Sequence, residues 1–400
     1  MKNKFLLGLA LLGVLATSCS TDDTSDIVIN DNSTVNNGGG GGGTQDPDTV
    51  YLSGTYTSDL TLDANKTYVL NGSLIMANGT TLTIPACMTI EALAAGSNVY
   101  IAISQGAQII ANGTADCPIV FTSNAANPQA GDWGGLILLG EAPINSVSGN
   151  ATSTSEIASL PYGGTNAGDN SGSLRYVRVE YSGGAADGQS ENNGFSFYGV
   201  GNGTVVSHIQ AFEGKDDGVE FFGGTVNADY ISVVNAQDDS IDWTEGYSGT
   251  ITNAYVKHGV DHDKAFECDG YNTDVGNNSS PLFWSKPTVN DVTILGLGSG
   301  VSAEAVRLRA GTQGIFNNIL IEGYAEGFDL DGDAGASSDN PTGTGVLSGD
   351  LQVTNVTFVD VLDKVKNDTG EVFSDAEFFT GEGNATGTDY ETWGAGWTVE

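Results

Sequence analysis

The sequence predicts an all-β fold, a right-handed parallel β-helix (a solenoid) built from coils of about 22–25 residues. Three observations lead there. A six-residue row recurs, as Asp217-Gly218-Val219-Glu220-Phe221-Phe222, Asp239-Ser240-Ile241-Asp242-Trp243-Thr244, Lys264-Ala265-Phe266-Glu267-Cys268-Asp269, Glu304-Ala305-Val306-Arg307-Leu308-Arg309 and Glu326-Gly327-Phe328-Asp329-Leu330-Asp331. The first residues are 22, 25, 40 and 22 apart, and Asn193 to Tyr198 extends the series backwards by 24. The chain also holds 57 glycines and 9 prolines, with β-branched runs broken by Asn-Gly and Gly-Gly pairs, the pattern of short strands and tight turns. No long apolar stripe of helical period competes with this reading.

From the N-terminus, Lys2 and Lys4 precede an apolar run from Phe5 to Leu15, then small residues and Cys19, the pattern of a bacterial export signal over residues 1–18. The run is shorter than the roughly 20 apolar residues of a membrane-spanning helix, and no later stretch approaches that length. The segment Leu15-Ala16-Thr17-Ser18-Cys19 resembles a lipobox, which would make Cys19 the lipidated N-terminus. The pattern departs from the usual one in placing Leu15 four residues before the cysteine, so Ala16-Thr17-Ser18 also reads as an ordinary secretory cleavage site. Residues 19–50, with Asp22, Asp23, Asp26 and six glycines from Gly38 to Gly43, read as a tether. Its reach as a Gly-rich coil is roughly 30 Å.

The β-helix is expected over residues 51–385. Its first part repeats Ala77-Asn78-Gly79-Thr80 as Ala111-Asn112-Gly113-Thr114, and Cys87 and Cys117 each sit at a turn beside a strand pattern. An exported chain permits a disulfide between them across neighbouring coils, whereas Cys268 reads as a buried thiol. In the recurrent rows the third and fifth residues are apolar and the fourth and sixth mostly polar. Period-two alternation puts Val219, Ile241, Phe266, Val306 and Phe328 inside, beside Phe221, Trp243, Cys268, Leu308 and Leu330. A second strand about ten residues before each early row suggests two or three strands per coil. The long interval after Asp269, through Tyr271 to Trp284, reads as a loop overhanging the outward face. Residues 386–400, ending in Trp393-Gly394-Ala395-Gly396-Trp397, are expected to cap the last coil.

The net charge of −37 argues against nucleic acid and against adsorption to anionic headgroups. Cations and neutral glycans are the partners it favours. The outward stripe gives the candidate site: strands about 4.8 Å apart would align Glu220, Asp242 and Glu267 on consecutive rungs, followed by Arg307 and Asp329. Two unit charges at that spacing repel by about 3–4 kcal/mol at an effective dielectric near 20. Relief can come from Ca²⁺ bound by Asp217, Glu220, Asp239, Asp242 and Glu267, from raised carboxylate pKa values, or from Lys264, Arg307 and Arg309 nearby. Asp269, Arg309 and Asp331 form a neighbouring row of mixed charge, so Glu220, Asp242, Glu267, Asp269, Arg307, Arg309, Asp329 and Asp331 are the expected ligand-binding residues. His262 reads more readily as an exposed turn residue than as a metal ligand.

The segments Gly131 to Asn145, Asp217 to Val226, Asp238 to Gly249 and Phe266-Glu267-Cys268-Asp269 resemble β-helix lipoproteins of Bacteroidetes and other Gram-negative bacteria, often filed under names such as "multidrug transporter". The resemblance implies a lipid-anchored outer-membrane or surface protein and carries no activity of its own; a chain without membrane spans cannot form a pump. The sequence therefore points to a non-enzymatic envelope protein binding a glycan or a cation, with an outer-membrane transporter as a partner by analogy. Two other readings compete. A polysaccharide lyase or hydrolase would use the same carboxylates, yet the Asn-x-Asp, Gly-His-Gly and Arg-x-Lys set of polygalacturonase-like enzymes is missing. A structural adhesin or surface-layer component would use none of them.

Overall fold

In the computed structural model, which describes residues 48–185, 192–273, 281–331 and 341–400, β-branched and aromatic runs pair in parallel into three ladders that climb the molecule side by side. The first ladder runs from residues 54–56 through Ile101–Ile103, Leu136–Leu139, Phe195–Tyr198, Val219–Phe222, Ile241–Thr244, Phe266–Asp269 and Glu304–Arg309 to residues 363–368. Its register is the one the repeat predicts: Val219 faces Ile241, Ile241 faces Phe266, Phe266 faces Val306 and Val306 faces Phe328. The second and third ladders share longer strands, such as Gly172–Glu180, Val205–Phe212, Ala228–Val234, Thr250–Lys257 and Thr288–Leu295. The fold is a parallel β-helix. Two or three strands per coil were expected, and three are found.

Each long strand turns its corner through one left-handed residue: Tyr176, His208, Tyr230, Asn253, Asp291, Asn318 and Asn355, with φ between 50° and 61°. Asn and Asp tolerate that region; the bulky aromatics do not ordinarily adopt it. Here they are held by stacking, with Tyr176 4.2 Å and Tyr230 4.1 Å from His208 between ring centroids.

Inside the coil the alternating apolar residues form one continuous core, and Trp243, Phe266, Cys268 and Phe328 are buried within it. A second core lies outside the first ladder. The outward residues Tyr100, Ala102, Ile137, Leu139, Tyr198 and Phe222 of its early rungs are apolar, and Ile144, Ile157 and Tyr162 of a long insertion cover them. The continuous apolar run Leu136-Ile137-Leu138-Leu139 belongs to a strand buried on both faces.

Cys87 and Cys117 pair as a disulfide with their Cα atoms 4.4 Å apart, and Cys268 is a buried free thiol. The C-terminal segment departs from expectation. It does not cap the last coil but runs back along the outer surface of the third ladder. Gly387 and Thr388 bond Asn318 and Thr293, Tyr390 stacks on Tyr255, Trp397 lies against Tyr176 and His208, and Gln210 bonds Val399. The corner aromatics give it ring contacts along this path. That end is closed instead by the helices Pro341–Ser348 and Asp375–Phe378, which insert Val346 and Phe378, the latter 5.3 Å from Phe328.

The export signal, the lipobox with Cys19 and nearly all of the expected tether lie outside the described residues. So does the middle of the loop between Asp269 and Trp284, residues 274–280. Its ends lie beside the first ladder, where Tyr271 meets Trp284 and the Asn272 amide donates to Glu245. No helix among the described residues is long and apolar enough to cross a membrane.

Candidate functional site

Parallel, in-register pairing turns the outward residues of the first ladder into columns. One column is Glu220, Asp242, Glu267, Arg307, Asp329 and Lys366. Two residues further along each strand lies another, containing Asp269, Arg309 and Asp331. A third, at the turn entering each strand, contains Asp217, Asp239, Lys264, Glu304 and Glu326. Backbone amides tie this turn column together: Asp217 Oδ1 accepts from the Asp239 amide at 3.0 Å, and Asp239 Oδ1 from the Lys264 amide at 2.7 Å.

The five carboxylates expected to hold a cation are therefore brought together. Asp217, Glu220 and Asp242 place one oxygen each within 4.8 Å of one another, and so do Asp239, Asp242 and Glu267, with Asp242 common to both sets. The surface is less open than a solvated stripe. Asp217 and Asp239 are 7 % and 5 % exposed, and Glu220, Asp242 and Glu267 are half-buried. Burial first, and then repulsion from neighbouring carboxylates, pushes Asp217, Glu220, Asp239 and Asp242 well above the usual carboxylate range.

Compensation by side-chain cations is uneven. Lys264 Nζ lies 3.1 Å from Glu267 and 3.7 Å from Asp239, and Arg309 grips Glu267 and Asp269. Burial works against the charge on both cations, but the surrounding carboxylates outweigh it and hold both strongly protonated. The Asp217, Glu220 and Asp242 set has no such partner among the described salt bridges. Glu220 accepts from the Asn193 amide at 2.5 Å, while Asp242 Oδ1 is shut off from water with no hydrogen-bond partner. An orphaned buried carboxylate oxygen beside two other acids fits Ca²⁺, which takes carboxylate oxygens in numbers and tolerates irregular geometry.

Further down, Arg307 pairs with Asp331 at 2.5 Å and approaches Glu304 at 3.9 Å, and Lys366 bonds Asp329 at 3.1 Å. Lys264, Arg307 and Arg309 thus form a basic belt dividing an upper acidic set from a lower one. The eight expected ligand-binding residues all lie on this one face, but Arg307, Arg309, Asp269 and Asp331 are engaged with one another or with their neighbours. Trp243 is buried inside the coil. His262 is half-buried on the ring of His258, 4.3 Å away, and its Nδ1 meets the Gly259 carbonyl.

Residues 54–398 match the family model of the pectate-lyase-like beta helix domain. The chain belongs to that family. No curated protein and no solved structure matches it. Within this pectate-lyase-like domain, a groove of about 600 Å³ opens on the second ladder, between Arg175, Ser207, Asp229, Thr252 and Asn253. It lies on a different ladder from the carboxylates, so cation site and groove are separate features.

Several contributors lie outside the expected set of site residues. Glu304 and Glu326 stand at the head of the recurrent rows and were visible there as acids. Lys366 belongs to a strand that does not repeat the row. Glu245 is buried at the edge of the site, where the hydroxyl of Tyr162 donates to it at 2.9 Å and that of Ser146 at 3.3 Å. No local signal announces Glu245, because its partners come from insertions far away in sequence.

Proposed function

We propose that this chain is an exported, lipid-anchored envelope protein that binds a divalent cation, Ca²⁺, through Asp217, Glu220, Asp239, Asp242 and Glu267, and through that cation an anionic glycan. The observation that supports this best is the orphaned Asp242 oxygen beside Asp217 and Glu220, three acids with no ion pair among the described salt bridges. The lipid anchor at Cys19 rests on the lipobox resemblance, and a place beside an outer-membrane transporter on analogy.

Binding is favoured over catalysis for a chemical reason. A lyase of this fold class needs a base able to shed its proton, and the cations nearest the acids, Lys264 and Arg309, are locked in their charged forms by two or three carboxylates each. Calorimetric titration of Ca²⁺ into residues 45–400 tests the reading. One tightly bound ion, lost in an Asp242→Asn, Glu267→Gln protein that stays folded, is the expected result. Absence of binding in the unsubstituted protein would remove the proposal. Release of unsaturated sugar ends from a polyuronate would replace binding with lyase activity.

A further inference from the structure

Below the basic belt the first ladder carries a second group of acids that the upper site does not use. Glu304 and Glu326 face each other in register, and Asp329 lies three residues along the strand from Glu326. One oxygen of each falls within 4.8 Å of the others. Asp329 is 3 % exposed; its Oδ2 accepts from Lys366 and its carboxyl group also meets that of Glu304, while its Oδ1 is closed off from water with no nitrogen or hydroxyl donor. A buried carboxylate oxygen left without a donor is costly, and what satisfies it is a proton shared with a neighbouring acid or a cation.

The charge already present is only partly committed. Arg307, the nearest guanidinium, is bound to Asp331 and stands 3.9 Å from Glu304. Lys366 spans Asp329 at 3.1 Å and Glu326 and Asp368 at 3.5 Å, with 42 % of its side chain exposed. A half-exposed ammonium on a flexible four-carbon stem can swing into water at little cost, unlike the buried Lys264 of the upper set.

We propose that Glu304, Glu326 and Asp329 form a second divalent-cation site, which Lys366 occupies as a tethered, displaceable counter-ion. The site takes a hard cation such as Ca²⁺ between Glu304, Glu326 and Asp329 when the Lys366 ammonium moves aside. Its affinity is set by competition with that ammonium, so it fills only at higher calcium concentration than the upper site.

The test uses the full-length protein with Asp242→Asn and Glu267→Gln already in place, so that failure of the upper site cannot be mistaken for failure of this one. Adding Lys366→Gln is expected to tighten calorimetric Ca²⁺ binding at least tenfold to one equivalent. Further Asp329→Asn is expected to abolish it, and Lys366→Arg to leave the site closed. A folded Lys366→Gln protein that binds no Ca²⁺ would overturn the proposal, leaving only a proton shared between Glu304 and Asp329. Should Lys366→Gln fail to fold, Asp329→Asn alone decides. It is expected to reduce the Ca²⁺ bound at millimolar concentration by one equivalent, and an unchanged count would overturn the proposal.

Discussion

At the scale of single residues, the face of the first ladder is held by charges whose states differ from those in water. Asp217, Glu220, Asp239 and Asp242 hold their protons more tightly in the fold than in the unfolded chain, and Glu304 is pushed up to about 7 by burial and by its bond to Asp329. Groups raised in this way stabilise the fold fully below the ordinary carboxylate value and lose that contribution as pH rises through the folded value. His208 and His258, lowered to about 4 and about 3 chiefly by burial, act in the opposite sense; their contribution is complete above the ordinary value of 6.5 and is lost below it. Above pH 6.5 the carboxylates therefore set the slope. The metal-free protein is expected to melt at progressively lower temperature as pH rises from 6.5, Glu304→Gln to flatten the part of the trend up to about pH 7, and saturating Ca²⁺ to remove it. Thermal scans at fixed ionic strength measure all three. Beside this face, Tyr162→Phe removes one donor from buried Glu245 and is expected to cost about 1.5–3 kcal/mol by chemical denaturation.

At the scale of elements, what was legible and what was not divides by sequence separation. The columns of the first ladder could be read because a parallel coil repeats its outward residue every 22 to 25 positions, so Glu220, Asp242 and Glu267 announced themselves. The insertion that covers Tyr198 and Phe222 could not be placed, since alternation says which residues face outward but not what lies over them. The course of the tail is hidden in the sequence for a related reason. Its partners, such as Gln210 for Val399 and Tyr176 for Trp397, are about 200 positions away and share no pattern with it. Removing residues 386–400 is expected to leave the far-ultraviolet signal of the β-helix intact while lowering its melting temperature, because the ladders are complete without the tail. Breaking the Cys87–Cys117 link with serines is expected to cost about 3–4 kcal/mol by the loop-entropy relation for its separation of 30 residues, as measured by chemical denaturation. The last coil exposes Val359 and Leu362 on an edge only partly paired, and charged residues at Asp360, Lys364 and Lys366 interrupt it. That distribution disfavours strand addition from another chain.

At the scale of the whole molecule, the solenoid combines a uniform interior with a varied exterior. Strands at 4.8 Å spacing would bring like charges into register along the full height were the columns uniform. The basic belt of Lys264, Arg307 and Arg309 breaks them into an upper and a lower acidic set. In a chain of net charge −37, any cation held between rungs stitches neighbouring coils together. Ca²⁺ is therefore expected to slow unfolding as well as raise the melting temperature, a difference that stopped-flow denaturation with and without chelator resolves.

The left-handed corners and the interior apolar pairs are close to interchangeable from one coil to the next: Val219 over Ile241 differs little from Val306 over Phe328. A folding chain that slipped by one full coil would still bury hydrophobic side chains and close its ladders. What such a slip cannot reproduce is the exterior, where Arg309 must find Glu267 and Asp269, and Phe222 must lie beneath the insertion. The outer decoration thus acts as the address label of each coil, and substitutions there threaten the choice of register before they threaten the strength of the core.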